Sequence, residues 1–128
     1  MRELVADTSV WIDFFNGREV PQLEAALDEG RVVLPPIVVA ELVSGAKRPR
    51  DRASIEDLLP DLEVHSTPVA HWLRVGVLRR LLASQGLTVS TPDAHVAQCA
   101  LDRGAALLTR DSVFQDIAEH APLKLAPP

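Results

Sequence analysis

The chain alternates between short apolar runs and longer segments in which apolar residues recur at helical spacing. The short runs predict five strands, at residues 3–6, 31–34, 63–65, 106–109 and 123–125. The longer segments predict seven helices, at residues 9–15, 21–29, 36–46, 50–59, 68–84, 92–103 and 112–119. Prolines 21, 36, 68 and 92 suit first helical turns, and Thr67 and Thr91 are candidate N-caps.

This alternation of strand and helix predicts an α/β fold with a mostly parallel central sheet and helices on both of its faces. We expect one domain over residues 1–128, because a chain of this length buries about two-thirds of its unfolded surface and can form a core without disulfides. In sheets of this kind, ligands bind beyond the carboxyl ends of the strands. Functional residues are therefore expected directly after strands.

Net charge, cysteine content and the length of the apolar runs exclude several classes of protein. Eighteen acids against thirteen bases give a net charge of -5, so any contact with nucleic acid must be local. The single cysteine, Cys99, cannot form an internal disulfide, and Glu3 and Asp7 lie where a secretory signal would need an apolar core. The longest apolar run is short and is interrupted by Pro35 and Pro36. We expect a soluble, cytoplasmic protein.

Two acids follow predicted strands. Asp7 comes directly after the first strand, and Asp111 comes soon after the strand at 106–109. Both positions lie on the edge of the sheet where ligands bind. Each acid could equally cap the helix that follows it, by accepting a backbone N–H. Position alone therefore leaves both interpretations open.

Two further acids lie on helices whose patterns predict burial. The segment "PPIVVAELVSGA" is apolar almost all round, which predicts a buried helix that carries Glu41 inward. In "TPDAHVAQCALDRG", Asp93 heads the apolar stripe that continues through Val96 and Ala97. The alternative for Asp93 is a first-turn acid favoured by the helix dipole, with Thr91 as the N-cap.

The four acids together are more informative than any one of them. If they converge on one pocket, repulsion and desolvation raise some of their pKa values unless a cation compensates the charge. Oxygen ligands with few nitrogen or sulfur atoms suit Mg²⁺ or Mn²⁺. We therefore predict a divalent-metal site, with Thr8, Ser9 and Thr109 as supporting hydroxyl donors.

Four segments in order resemble a known family. "ADTSVWIDFF", "VVAELVSGA", "TPDAHVAQCAL" and "GAALLTRDSVF" are similar to the motifs of PIN-domain ribonucleases, and most closely to VapC-type toxins of toxin–antitoxin pairs. The resemblance covers residues 2–125. It implies that the family's catalytic, metal-binding acids correspond to Asp7, Glu41, Asp93 and Asp111.

The same resemblance implies a three-layer α/β/α sandwich and a Mg²⁺-dependent endoribonuclease whose activity Mn²⁺ also supports. It further implies a homodimer and a cognate antitoxin. One feature departs from many relatives, which have a further acid or polar residue before the phenylalanine of the last motif. Here Ser112 and Val113 precede Phe114. Asp116 is nearby and is interpreted as a surface acid.

Basic residues that could hold RNA phosphates are concentrated after the Glu41 helix. The segment "AKRPRDR" supplies Lys47, Arg48, Arg50 and Arg52, which either contact phosphates or form a solvated loop. A second group, Arg74, Arg79 and Arg80, is interpreted as a solvated helix face. Arg110 suits an ion pair and a phosphate contact equally.

Two other features favour structural interpretations. His95 and Cys99 are four residues apart, a spacing compatible with a metal, but the sequence indicates no further His or Cys to complete a zinc site. Trp11, Phe14, Phe15 and Trp72 are predicted to lie in the core or at a dimer contact.

Two alternatives to a nuclease stay open from the sequence. A receiver-like signalling domain has similar size and architecture, but it needs an acidic pair after the first strand and an acid after the third, and neither is found. A catalytically silent binding module on the same fold is the other alternative, and only an assay excludes it.

Overall fold

A computed structural model of the protein describes residues 2–127. Its strands are β1 (Leu4–Ala6), β2 (Val33–Leu34), β3 (Glu63–Val64), β4 (Ala106–Leu108) and β5 (Lys124–Leu125). Its helices are α1 (Thr8–Phe15), α2 (Pro21–Asp28), α3 (Pro36–Gly45), α4 (Pro49–Leu58), α5 (Val69–Ser84), α6 (Thr91–Arg103) and α7 (Val113–Ala118), with a short 3₁₀ helix at Leu59–Asp61. The predicted order of strands and helices is thus confirmed.

The strands form a parallel sheet whose two halves meet at a single bridge. β1 pairs with β4, β4 with β5, and β2 with β3, all in parallel. A parallel bridge between Leu4 and Val32 joins the halves, which gives the order β3-β2-β1-β4-β5. With its helices this is an α/β sandwich, as predicted.

Proline and glycine set several helix boundaries. Pro21, Pro36 and Pro49 are the first residues of α2, α3 and α4, where a missing backbone N–H costs nothing. At the other end of α6, Gly104 takes the left-handed conformation, with φ of 61°, which glycine adopts without strain.

The two predicted threonine caps are wrong. Ser90 caps α6, with its side chain accepting the N–H of Asp93, and Thr91 is already the first residue of the helix. Pro68 precedes α5 and no side chain caps that helix, so Thr67 has no capping role.

The core surrounds the sheet and encloses most of α6. Trp11, Leu23, Leu107 and Phe114 are all almost completely buried. In α6, every residue from 94 to 100 is buried, so that helix passes through the core rather than along its surface. The first turn of α6, which carries Asp93, is only partly buried and is held in place by the buried turns that follow it.

The prediction that α3 is a buried helix is wrong. Only Val38 and Leu42 are buried in it, and Glu41 is exposed. Because the helix packs through one side, its other apolar residues are only partly covered. Glu41 is thus exposed to solvent, where an ionised carboxylate costs little free energy.

Within residues 2–127, no helix is long and apolar enough to span a lipid bilayer.

Candidate active site

Asp7 lies at the carboxyl end of β1 and is almost fully buried. Its Oδ1 accepts the backbone N–H of Val10 at 3.1 Å and the Ser9 hydroxyl at 2.7 Å, and its Oδ2 accepts the Thr109 hydroxyl. Asp7 is therefore the N-cap of α1, as one of the two interpretations proposed. These donors also compensate the burial of a carboxylate at the edge of the sheet.

Glu41 is joined to the start of α1. The hydroxyl of Thr8 donates to its Oε1 at 2.7 Å. Thr8 directly follows Asp7 in the chain, so this bond connects the exposed carboxylate on α3 to the segment that holds the buried one. The bond fixes the direction in which Glu41 points.

Asp93 lies in the first turn of α6 and is half-buried. Burial raises the pKa of its carboxyl, and the negative charges of Asp111, Glu41 and Asp7 raise it further, while a hydrogen bond with Ser90 lowers it. Like charges act on one another in this way only when they share a small region. The structure therefore brings all four predicted acids together around Asp93.

Asp111 is exposed and lies in the turn that leads to α7. Its Oδ1 accepts the N–H of Val113 at 3.0 Å, and its own N–H donates to the hydroxyl oxygen of Thr109 at 3.0 Å. Since the Thr109 hydroxyl also donates to Asp7, one side chain links the two acids that follow strands β1 and β4.

The donor set of this pocket consists of oxygen atoms. Three hydroxyls named from the sequence contact its carboxylates: Thr8 contacts Glu41, and Ser9 and Thr109 contact Asp7. Hydroxyl donors favour the ionised form of a carboxylate, which is the form that binds a cation. Clustered carboxylates whose charges oppose one another fit a hard divalent cation such as Mg²⁺ or Mn²⁺.

A cleft of about 170 Å³ adjoins Glu41 between α1, α3 and α4. Ile12, Phe15, Leu42 and Ile55 contribute apolar walls, and Glu41 contributes a charge at the side of the acidic pocket. The cleft thus combines apolar surface with negative charge.

Two of the basic residues after α3 are engaged in ion pairs. Arg48 pairs with Asp51 at 3.0 Å and Arg52 with Glu56 at 2.6 Å, both on the surface of α4. For Lys47 and Arg50, no acidic partner is found among residues 2–127.

Three of the other candidate arginines, Arg74, Arg79 and Arg110, have structural contacts. Arg74 forms two hydrogen bonds to Asp102, and Arg79 donates to the carbonyl of Val89 at 2.8 Å. Arg110 pairs with Asp13. Asp116 is exposed on α7, as interpreted from the sequence.

Sequence reasoning missed one cluster completely. The ring of His71 on α5 lies against that of His95, with 2.8 Å between Nε2 and Nδ1, and His65 is adjacent to His71. The expectation that His95 and Cys99 have no further His or Cys nearby is therefore wrong. Residues 65, 71 and 95 come together only because the segment after β3, α5 and α6 pack against one another, so no local pattern could reveal them.

The model of the PIN domain matches residues 4–120. The chain belongs to the PIN domain family. Among solved structures, it is similar to VapBC2 of Rickettsia felis bound to promoter DNA, with 25% identity, 96% of each chain covered and a TM-score of 0.78. It is similar to VapBC-1 of nontypeable Haemophilus influenzae at 25% identity, with 96% of each chain covered and a TM-score of 0.75.

A third structure, DNA-bound VapBC of Salmonella typhimurium, shares the fold at 24% identity, with 98% of each chain covered and a TM-score of 0.82. Together with the family match, these similarities support a VapC-type PIN domain. PIN domains of VapC toxins are nucleases, and PIN nucleases generally use divalent metals. The receiver-like alternative does not fit this family.

We predict that Asp93→Asn makes stability less dependent on pH. The pKa of Asp93 is raised in the folded state, so its protonated form stabilises the fold. This stabilisation is fully present below the ordinary pKa of 3.8 and is lost as pH rises through the pKa of the folded state. Asparagine cannot ionise, so the variant should gain stability relative to the parent as pH rises from about 4 to 7. Urea unfolding in EDTA measures this difference.

The exposed Asp116→Asn variant is the control and should follow the parent at every pH. If the Asp93→Asn and parent curves stay parallel across the window, Asp93 does not lie in the field of the other acids.

Proposed function

We propose that this protein is a Mg²⁺-dependent endoribonuclease and the toxin of a toxin–antitoxin pair, acting in the cytoplasm. The observation that supports it best is the grouping of Asp7, Glu41, Asp93 and Asp111 at one edge of the sheet, linked through Thr8 and Thr109 and close enough for the other three charges to raise the pKa of Asp93. Such a group of acids offers the charge that a divalent cation requires. Mn²⁺ should also support activity, because it accepts the same oxygen ligands.

The mechanism assigns a separate task to each acid. Asp7 and Asp93 are the principal metal ligands, since both are held at helix starts with restricted positions. Glu41, directed by Thr8, holds metal or orients the attacking water. Asp111 completes the pocket, through its Oδ2 or through water, because its Oδ1 is already occupied by the N–H of Val113.

The reaction needs no nucleophilic side chain. Mg²⁺ held by these acids would supply charge neutralisation at the phosphate and activation of the attacking water. The hydroxyls of Ser9 and Thr109 fix the orientation of the Asp7 carboxylate. The resemblance to PIN nucleases suggests products with a 5′-phosphate and a 3′-hydroxyl.

We predict that Asp7→Asn and Asp93→Asn each reduce RNA cleavage by more than about 100-fold, since even outer partners of metal ligands are worth 10–100-fold. Asparagine can still cap α1, so Asp7→Asn should remain folded. Cleavage is measured with Mg²⁺ on total cellular RNA by sequencing new 5′ ends.

Asp116→Asn is the matched control and should cleave like the parent. Full Mg²⁺-dependent cleavage by both site variants would contradict the assignment of the metal ligands. If the parent itself does not cleave RNA, the result would favour a silent binding module.

The substrate contact is proposed to lie on the segment that starts α4. Lys47, Arg48, Arg50 and Arg52 follow α3, the helix of Glu41, and so are close to the pocket in the chain. Lys47 and Arg50 are the stronger candidates, because Arg48 and Arg52 already pair with acids. Exposed basic side chains of this kind bind phosphates without reading sequence.

We predict that a Lys47→Ala/Arg50→Ala variant binds RNA more weakly and with a flatter salt dependence. Each lost phosphate contact lowers the slope of log affinity against log salt by about 0.7 for a single strand, so two contacts lower it by roughly 1.4. An Arg80→Ala/Lys124→Ala variant removes the same charge elsewhere and should leave the slope unchanged. Equal slopes in all three proteins would support the alternative interpretation, in which the segment is a solvated loop that does not contact RNA.

The antitoxin is proposed to occupy the cleft beside Glu41. Its walls include Ile12, which is 45% exposed, so an apolar segment can bury surface there. A basic residue of that segment, and an arginine above all, can reach the carboxylates and form two parallel hydrogen bonds. Such a residue would compete with the metal for the same oxygens.

We predict that the antitoxin complex binds Mn²⁺ at the pocket at least about 10-fold more weakly than the free protein. The inserted basic side chain reduces the negative charge of the pocket that attracts the metal. Mn²⁺ titration followed by electron paramagnetic resonance compares the two. An Ile12→Gln variant, which removes apolar surface without adding charge, should restore metal binding in the mixture by weakening the complex. Equal metal affinities with and without antitoxin would place inhibition elsewhere.

The protein is further proposed to form a homodimer through α5. Its exposed apolar residues recur at helical spacing along one face and comprise Val69, Trp72, Leu73, Val77 and Leu81. An apolar stripe of this length favours burial against another copy. Sedimentation that gives a monomer at micromolar concentration would contradict this proposal.

A further inference from the structure

A second cluster of potential metal ligands lies away from the carboxylate pocket, between α5 and α6. On α6, His95, Cys99 and Asp102 follow one another at intervals of four and three residues, so they share one face of the helix. His71 meets them from α5. His71, His95 and Cys99 are all completely buried.

Asp102 fixes the orientation of His71. The Nδ1 of His71 lies 2.7 Å from Oδ2 of Asp102, and Arg74 donates to Oδ1 at 2.9 Å. Burial raises the pKa of Asp102, but hydrogen bonds from Arg74, His71 and Gln98 outweigh it and hold that pKa well below its ordinary value. Asp102 is therefore ionised, and Nδ1 of His71 carries the donated proton.

This proton position makes Nε2 of His71 the acceptor of the hydrogen bond with His95, and a metal would take that lone pair in place of the His95 proton. Metal-binding histidines almost always donate their other ring N–H to a carboxylate, which is the arrangement of His71 and Asp102. The lone pair points toward His95, whose Nδ1 is 2.8 Å away, and the sulfur of Cys99 lies 3.7 Å from Nε2 of His95.

His65 supplies an independent observation. It is about nine-tenths buried, and its Nδ1 has no hydrogen-bond partner among residues 2–127. An unsatisfied buried nitrogen is costly and is uncommon without a role. One ligand atom each from His65, His71 and Cys99 lie within 4.8 Å of one another.

We propose that His65, His71, His95 and Cys99 form a second metal site, specific for a borderline-soft divalent cation of which Zn²⁺ is the best fit. Tetrahedral zinc with bonds of about 2.0–2.3 Å separates its ligand atoms by roughly 3.4–3.7 Å. The ligand atoms of His65, His71 and Cys99 lie within 4.8 Å of one another, so no pair among them must close by more than about 1.1 Å. For His95, Nδ1 lies 2.8 Å from Nε2 of His71 and 4.0 Å from the sulfur of Cys99, and side-chain rotation would bring it in as the fourth ligand.

The ligand types separate this site from the carboxylate pocket. Imidazole and thiolate favour Zn²⁺, whereas an all-oxygen pocket favours Mg²⁺. Burial raises the pKa of the Cys99 thiol to about 12, so the thiol is neutral and binding releases one proton to solvent as the sulfur–metal bond forms.

Metal at this position would connect three parts of the scaffold. His65 follows β3, His71 is on α5, and His95 and Cys99 are on α6. Since α6 also carries Asp93, the cation would stiffen the helix that positions a nuclease ligand. Its effect is on stability, and it does not depend on the proposed nuclease activity.

The test uses the full chain carrying Asp7→Asn and Asp93→Asn, in excess Mg²⁺, so that the carboxylate pocket contributes little. Zn²⁺ is titrated against a chromophoric chelator, and Co²⁺ is added separately as a spectroscopic probe. We expect one equivalent of Zn²⁺, a near-ultraviolet cobalt–thiolate absorption, and a Tm raised by roughly 5–10 °C at 100 times Kd.

Cys99→Ser and His71→Gln, each added to this parent, should weaken Zn²⁺ binding by at least about 100-fold and abolish the rise in Tm. His120→Gln replaces an exposed histidine outside the cluster and is the matched control, with no change expected. Circular dichroism reports whether each variant is folded.

Absence of a bound zinc equivalent in the parent, or binding by folded Cys99→Ser equal to that of the parent, would overturn the proposal. If the substitutions unfold the protein, the Co²⁺ spectrum of the unaltered cluster decides. A thiolate absorption supports the site, and its absence overturns it.

Discussion

The parallel pairing of β1 with β4 is the constraint on which the rest of the site depends. Its register sets Ala6 beside Leu108, and the N–H of Asp7 continues the ladder by donating to the carbonyl of Leu108 at 3.2 Å. The chain therefore leaves both strands at the same edge, and Thr109 reaches Asp7. Without this pairing, Asp7 would be a buried carboxylate compensated only by the Val10 N–H and the Ser9 hydroxyl at the start of α1.

The other two acids reach that edge by different routes. Asp93 is held because α6 runs through the core and cannot tilt without opening it. Glu41 is on a surface helix and is directed by the hydrogen bond from Thr8. The pocket consequently passes from a buried acid, Asp7, to exposed acids, Glu41 and Asp111. Under the proposed function, the exposed side would admit a phosphate while Asp7 stays desolvated.

The sequence predicted the features that depend on residues close to one another in the chain. Period and proline placement located all the strands and helices, and the rule for strand ends located Asp7 and Asp111. It did not predict the exposure of Glu41, because an all-round apolar pattern cannot say which side of a helix lacks a neighbour. Nor did it reveal the contacts of His71 and His65 with the His95–Cys99 face, since these depend on how α5 packs against α6.

The central claim is that four acids form one electrostatically coupled metal pocket. Carbon-detected NMR titration of the aspartate and glutamate carboxyls, with and without Mg²⁺, measures it most directly. The account predicts that Asp93 titrates above the ordinary range without Mg²⁺, and that Mg²⁺ moves the signals of Asp7, Glu41, Asp93 and Asp111 together while Asp116 does not change. An ordinary titration of Asp93, with Mg²⁺ shifts no larger at these four acids than at Asp116, would contradict it.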